Sequence, residues 1–150
     1  MRFWLTTLLV LAIDQLSKLW IVNSFTPGES RALLGQVLSL TYVQNQGAAF
    51  GILPGRSWLF FICALLVILI LVVLNSSQRQ PAGLQVIFGL IMAGAVGNLL
   101  DRLRLNYVVD FFDLGWWPVF NIADMAIVCG AILLALKLLW DEKGEHRVSD

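Results

Sequence analysis

Four apolar runs set the rhythm of this chain, at residues 3–22, 57–74, 84–100 and 119–140. Each approaches the roughly 20 residues an α-helix needs to cross about 30 Å of hydrocarbon. Backbone in lipid has no water to bond with, so each run is expected as a helix that satisfies its own peptide groups. Polar or turn-rich stretches separate the runs at 23–56, 75–83 and 101–118. The middle one, Asn75-Ser-Ser-Gln-Arg-Gln-Pro81, breaks helix at its proline. Arg2 gives the first run a positive start, but Asp14 and Lys18 interrupt its apolar core and no small-x-small site follows Trp20. It is therefore expected to persist as a first helix rather than leave as a signal peptide.

The first connector is more than loop. Residues 36–42 alternate in part and are rich in β-formers, with Val37, Leu38, Leu40, Thr41 and Tyr42. Gly47-Ala-Ala-Phe-Gly51 follows, with small residues and a flexible backbone. The expected fold is an all-α integral membrane protein of four transmembrane helices, with a small extracytoplasmic β-sheet on the membrane surface. No repeat, low-complexity segment or linker divides residues 1–150, which read as one membrane-embedded domain.

Composition agrees. Of 150 residues 59% are hydrophobic and 13% charged, and mean hydropathy is +0.80, whereas a soluble domain is about 45–50% apolar and about 25% charged. Net charge is +0 and no basic stripe offers itself to nucleic acid. Cys63 and Cys129 lie inside apolar runs and read as small packing residues. His146, in a charged tail at 141–150, is the one histidine; zinc sites and Ser-His triads call for histidine near the apolar runs. With both termini inside, Arg2, Arg79, Lys137, Lys143 and Arg147 face Arg31, Arg56, Arg102 and Arg104 outside. Five against four is a weak positive-inside bias, and it favours cytoplasmic termini.

Against this background the acids stand out. Asp14 and Lys18 are four apart, on one helix face, and read as an ion pair that makes two charges tolerable in lipid. Asn98, Asp101 and Arg102 share a face at the end of the third run and read as a polar cluster anchoring the membrane boundary, with Gly89, Ala93, Gly94, Ala95 and Gly97 forming a small-residue face for close packing. Asp110, in Val-Val-Asp-Phe-Phe, has no adjacent counter-charge. Asp124 follows Asn121 by one turn, and Trp116-Trp117-Pro118 just upstream places both acids near a membrane interface. Two acids in such surroundings are either boundary carboxylates at helix ends or a pair sharing one proton, the chemistry of an aspartic protease. A proton relay in a small transporter would spread its acids across the bilayer. A scaffold would tolerate the loss of either aspartate. No Gly-x-Gly-Asp, His-Glu-x-x-His or Gly-x-Ser-x-Gly string points to another intramembrane protease class.

Five motifs, in order, resemble the lipoprotein signal peptidases, or signal peptidase II, of bacteria. They are Asp14-Gln-Leu-Ser-Lys18, Asn45-Gln-Gly-Ala-Ala-Phe-Gly51, Gly94-Ala-Val-Gly-Asn-Leu-Leu-Asp-Arg102, Val108-Val-Asp-Phe111 and Phe120-Asn-Ile-Ala-Asp124. Ala93 stands where the family often has Gly, and Val96 where Leu is common; neither is a candidate site residue. The resemblance implies an aspartic endopeptidase of the bacterial inner membrane, with its site near the extracytoplasmic face. It would remove the signal peptide from diacylglyceryl-modified prolipoproteins, cutting just before the lipidated cysteine. Asp110 and Asp124 match the catalytic pair. Asp14, Lys18, Asn45, Gly47, Asn98, Asp101, Arg102 and Asn121 match supporting or substrate-binding positions. The resemblance implies no metal or other cofactor; the partners are the lipid-modified substrate and membrane lipid, not nucleic acid. Residues 45–51 would act as a lid or clamp over the substrate backbone.

Overall fold

The computed structural model describes residues 1–35, 37–47, 57–77 and 80–146, the side chains of 57 and 142–146 excepted. Four helices dominate it: α1 (Arg2–Ser24), α2 (Ser57–Ser77), α3 (Ala82–Leu105) and α4 (Ile122–His146). Three short strands complete it: β1 (Ser30–Leu34), β2 (Leu38–Asn45) and β3 (Val108–Asp113). Each helix holds a stretch long and apolar enough to span a membrane. The large exposed side chains of α1, α2 and α4 are mostly Leu, Ile, Val and Trp, as suits helices whose solvent is lipid.

The centre of the bundle is α3. Over its most apolar stretch 56% of residues are buried, against 6% for α2, which packs chiefly on α3 at the periphery. Small residues let α3 sit there. A Cβ at Gly94 would run into the Ala123 carbonyl of α4, and one at Gly89 would lie 2.8 Å from the Phe3 carbonyl of α1. Without hydrophobic drive between helices in lipid, such close approach is what holds them. At one end Phe3, Leu71, Phe88 and Met92 form an apolar cluster.

The sheet caps the other end. It is antiparallel in the order β1-β2-β3, so it joins the α1–α2 connector to the α3–α4 connector. Asn106 ends α3 in a left-handed conformation (φ 63) and turns the chain into β3. Val109 and Phe111 point into a second cluster with Ile21, Phe25 and Tyr42, which leaves Asp110 on the opposite strand face. A register shift between Leu40 and Val43 inserts one residue into β2, after which Val43 opposes Asp110 and Asn45 opposes Val108. Val43, Asn45 and Asp110 thus share a face. Phe120 exchanges backbone bonds with Phe112 at 2.8 and 3.0 Å, folding residues 113–120 back on β3 and delivering Asn121 beside Asp110.

Several elements differ from the sequence reading. The strand expected at 36–42 is β2, two to three residues further on, and two more strands join it. The third connector contains β3, whose first four residues are all buried. Cys63 and Cys129 are exposed rather than packed inside, each lining a cleft beside α2 or α4. The charged tail from 141, expected to follow the fourth helix, instead continues α4 to His146. Residues 48–51 of the expected lid lie outside the described residues.

Gly97 is the closest small-residue contact to the polar interior. A Cβ there would lie 2.5 Å from Asp14 Oδ2, whereas one at Gly83 would meet nothing within 4 Å. Gly97→Ala is expected to cost about 1–3 kcal/mol through overpacking. Thermal unfolding in detergent checks this, with Gly83→Ala expected to be neutral or slightly stabilising.

Candidate functional site

Lys18 forms the base of the site. Its ammonium carries three protons and meets three acceptors: Asp14 Oδ2 at 3.0 Å, Asp101 Oδ2 at 2.9 Å and Asn98 Oδ1 at 3.0 Å. All four residues are buried. The i, i+4 pair expected from sequence is thus part of a larger network. Asp101 is an interior partner of Lys18 and not a boundary anchor, and its Oδ2 also accepts the Val109 N–H of β3 at 3.1 Å. Asp14 Oδ1 accepts the Ala123 N–H at 2.9 Å, satisfying a donor that the first turn of α4 leaves open.

Gln15 belongs to this network, and the sequence reading missed it. Its Nε2 lies 3.1 Å from Asp14 Oδ2, 3.1 Å from Asp101 Oδ1 and 3.3 Å from the Gly97 carbonyl. The available signal was its i, i+3 relation to Lys18, which puts both on one helix face.

Above Lys18 lie the two aspartates, and Asn121 joins them. This residue is the N-cap of α4, not a residue within it. Its Oδ1 accepts the Asp124 N–H at 2.9 Å, and its own N–H donates to Asp124 Oδ2 at 3.1 Å, a reciprocal capping box. Its Nδ2 donates to Asp110 Oδ1 at 2.6 Å. One residue therefore binds both carboxyls. Asn45 Nδ2 donates to Asp110 Oδ2 at 2.8 Å, while Asn45 Oδ1 accepts the Gly47 N–H at 3.0 Å. Asn98 Nδ2 donates to Asp124 Oδ1 at 2.7 Å. Each carboxyl thus receives two N–H donors, and among the described residues no cation forms an ion pair with either.

Asp110 is 1% exposed. Burial, then the Asp124 charge, push its carboxyl up to about 7, against the opposing pull of the Asn45 and Asn121 amides and of Lys18. Arg102, half-buried, donates to the Asn98 carbonyl at 3.2 Å and lies 5.7 Å from the Phe60 ring centroid. It lines a cleft of about 300 Å³ between α2, α3 and α4 that reaches Asn98 and Asp124. A second, more apolar groove of about 380 Å³ reaches Asp124 from the side of Trp116 and Trp117. Both volumes suit a ligand site. Among the described residues no three of His, Cys, Asp and Glu are grouped to hold a metal ion.

Every site residue expected from sequence is thus drawn to the sheet end of the bundle: Asp14, Lys18, Asn45, Gly47, Asn98, Asp101, Arg102, Asp110, Asn121 and Asp124. Fold and site together define a multi-pass membrane protein with a buried carboxyl–amide centre beneath a small sheet. The profile of the signal peptidase (SPase) II family matches residues 6–140. A lipoprotein signal peptidase of Syntrophomonas wolfei is 56% identical over 147 residues, covering 98% of this chain and 99% of its own. One of Halothermothrix orenii is 45% identical, covering 93% and 97%. A bacterial membrane enzyme solved by the in meso method at 2.3 Å resolution superposes with a TM-score of 0.89 at 35% identity, covering 95% of this chain and 90% of that one. The chain belongs to the signal peptidase II family and is a membrane-embedded peptidase.

Asn121→Ala removes the cap of α4 and a donor to Asp110. A lost cap costs about 0.5–2 kcal/mol, and the unfolding midpoint in detergent is expected to fall accordingly.

Proposed function

We propose that this protein is an aspartic endopeptidase that removes the signal peptide from diacylglyceryl-modified prolipoproteins, cutting before the lipidated cysteine. Asp110 and Asp124 are the catalytic pair. The observation that carries this is Asn121, which donates to Asp110 Oδ1 at 2.6 Å and to Asp124 Oδ2 at 3.1 Å and so brackets two carboxyls around one residue. The family membership and the names of the relatives support the substrate class. The convergence of the acids at one end of the bundle favours a peptidase over a relay spread through the bilayer.

In the reaction Asp110 holds the shared proton and Asp124 is ionised. Asp124 takes a proton from a water, whose oxygen bonds to the scissile carbonyl carbon. Asp110 donates its hydrogen bond, then its proton, to the carbonyl oxygen. The tetrahedral adduct collapses as its hydroxyl proton returns to Asp110 and the C–N bond breaks. Asp124 gives the water-derived proton to the departing nitrogen. The products are a signal peptide with a new carboxyl terminus and a lipid-modified cysteine with a free amine. Asn45, Asn98 and Asn121 orient the pair without neutralising it, Asp14, Lys18 and Asp101 brace them, and Arg102 faces the substrate cleft. Gly47 ties off Asn45 at the start of the 45–51 clamp.

The chain works as one domain, with no cofactor. It sits in the bacterial inner membrane with both termini cytoplasmic and the sheet at the extracytoplasmic face, where exposed Trp116 and Trp117 suit the interface.

Purified enzyme in lipid is expected to shorten a diacylglyceryl-modified prolipoprotein. Asp110→Asn and Asp124→Asn, each confirmed folded, are expected to lose about 10²–10⁴-fold in kcat/KM; near-normal turnover by either removes that residue from the pair.

The pH dependence follows from Asp110. Its carboxyl keeps a proton below about 7, and the working pair needs that proton. kcat/KM is therefore expected to decline as pH rises through about 7, read from initial rates of peptide cleavage.

A further inference from the structure

Three asparagines face the two carboxyls, and each has its oxygen tied off. Asn45 Oδ1 accepts the Gly47 N–H at 3.0 Å, and Asn121 Oδ1 accepts the Asp124 N–H at 2.9 Å. Backbone therefore fixes those two amides with their nitrogens toward Asp110. Asn98 has no such backbone donor. Its Oδ1 accepts from Lys18 Nζ at 3.0 Å and from Asn121 Nδ2 at 3.1 Å, and its Nδ2 donates to Asp124 Oδ1 at 2.7 Å. Reversing the amide would set its N–H bonds against the Lys18 ammonium and the Asn121 N–H, and its oxygen against the Asp124 carboxylate. Both contacts are repulsive.

We infer that Lys18 is a positioning residue that locks the Asn98 amide so that Asp124 receives an N–H donor. This rests on the assignment of Asp110 and Asp124 as the catalytic pair. Lys18 itself has no proton to spare for substrate: Asp14, Asp101 and Asn98 take all three, and it is 3% exposed. Its action is transmitted through one amide, in the place where backbone serves the other two asparagines.

Lys18 charge also acts on Asp110, whose carboxyl it draws downward. The charged and polar groups around Asp110 are Lys18 and Asp14 from α1, Asp101, Arg102 and Asn98 from α3, Asp124 from α4, Asn45 from β2, and Asn121. Losing the Lys18 charge leaves the carboxylates of this set opposed by Arg102 alone, so Asp110 should hold its proton to higher pH.

The test uses the whole enzyme in lipid nanodiscs. Carbon-13 NMR follows the Asp110 carboxyl, assigned by its disappearance in Asp110→Asn, for wild type, Lys18→Met and Lys18→Arg. The double variant Asp101→Asn with Lys18→Met removes one charge of each sign and serves if Lys18→Met alone does not fold. In Lys18→Met the Asp110 midpoint is expected to rise, while in the double variant, which loses one charge of each sign, it should move less. Their kcat should fall about 100-fold with KM changed less than threefold. Lys18→Arg should restore most of kcat. An unchanged midpoint in folded Lys18→Met, or normal kcat in either folded Met variant, overturns the inference. Cleavage by wild type bears on the functional reading alone, since the titration reads Lys18 whether or not the peptide is cut.

Discussion

A lysine ammonium in a membrane bundle must find three acceptors or lose its place there, and the way Lys18 finds them organises the molecule. Asp14 comes from its own helix, Asp101 and Asn98 from α3. The second oxygen of Asp14 holds the first turn of α4 through Ala123, and Asp101 holds β3 through Val109. Three helices and β3 are thereby tied to one charge. A buried ion pair is weak evidence of net stability, since desolvation offsets much of the attraction. Its contribution here is register: the network closes only when α1, α3, α4 and β3 stand at one set of heights. No buried side-chain N or O among the described residues lacks a partner, so the closure is complete.

Small residues make that closure geometrically possible. Gly97 lets Asp14 come within reach of α4, and Gly94 lets α4 lie against α3. The peripheral α2 takes no part, contributing Phe60 and apolar residues to one wall of the cleft. The bundle is thus a rigid three-helix body carrying the polar centre, with a fourth helix beside the cleft. The division fixes the carboxyl geometry while leaving one wall of the cleft with few packing constraints.

The helices were legible in the sequence because lipid allows a long apolar run little other choice. The sheet was legible only in part. Val37 to Tyr42 carries a β signal, but Val108-Val-Asp-Phe-Phe has no apolar–polar alternation, since both faces of β3 are covered. The aspartates announced themselves as acids in apolar surroundings. Their partners were harder to see. Asn121 was legible as a neutral partner of Asp124, but not as the N-cap of α4 that also reaches Asp110, because the apolar run beginning at 119 carries it into the helix despite the capping-box spacing of Asn-Ile-Ala-Asp. Gln15 hides beside Asp14. Asp101 sits where a boundary residue belongs by sequence, and only the packing of α1 on α3 turns it inward. Cys63 and Cys129 are ambiguous in principle, because hydropathy does not distinguish core from lipid.

On the proposed assignment of Asp110 and Asp124 as the catalytic pair, orientation by asparagines rather than by cations suits the chemistry the pair would perform. An arginine or lysine in direct contact would favour two carboxylates and strip the proton the reaction needs. A purely apolar pocket would favour two neutral acids and leave no base. Amides fall between: each offers an N–H to a carboxyl oxygen and carries no charge. Their weakness is ambiguity, since an amide can turn end for end. The structure removes it with backbone donors at Asn45 and Asn121 and with a saturated ammonium at Asn98. The buried ammonium of Lys18 is thus held one residue away from the acids, where it fixes the Asn98 amide without forming an ion pair with either carboxyl.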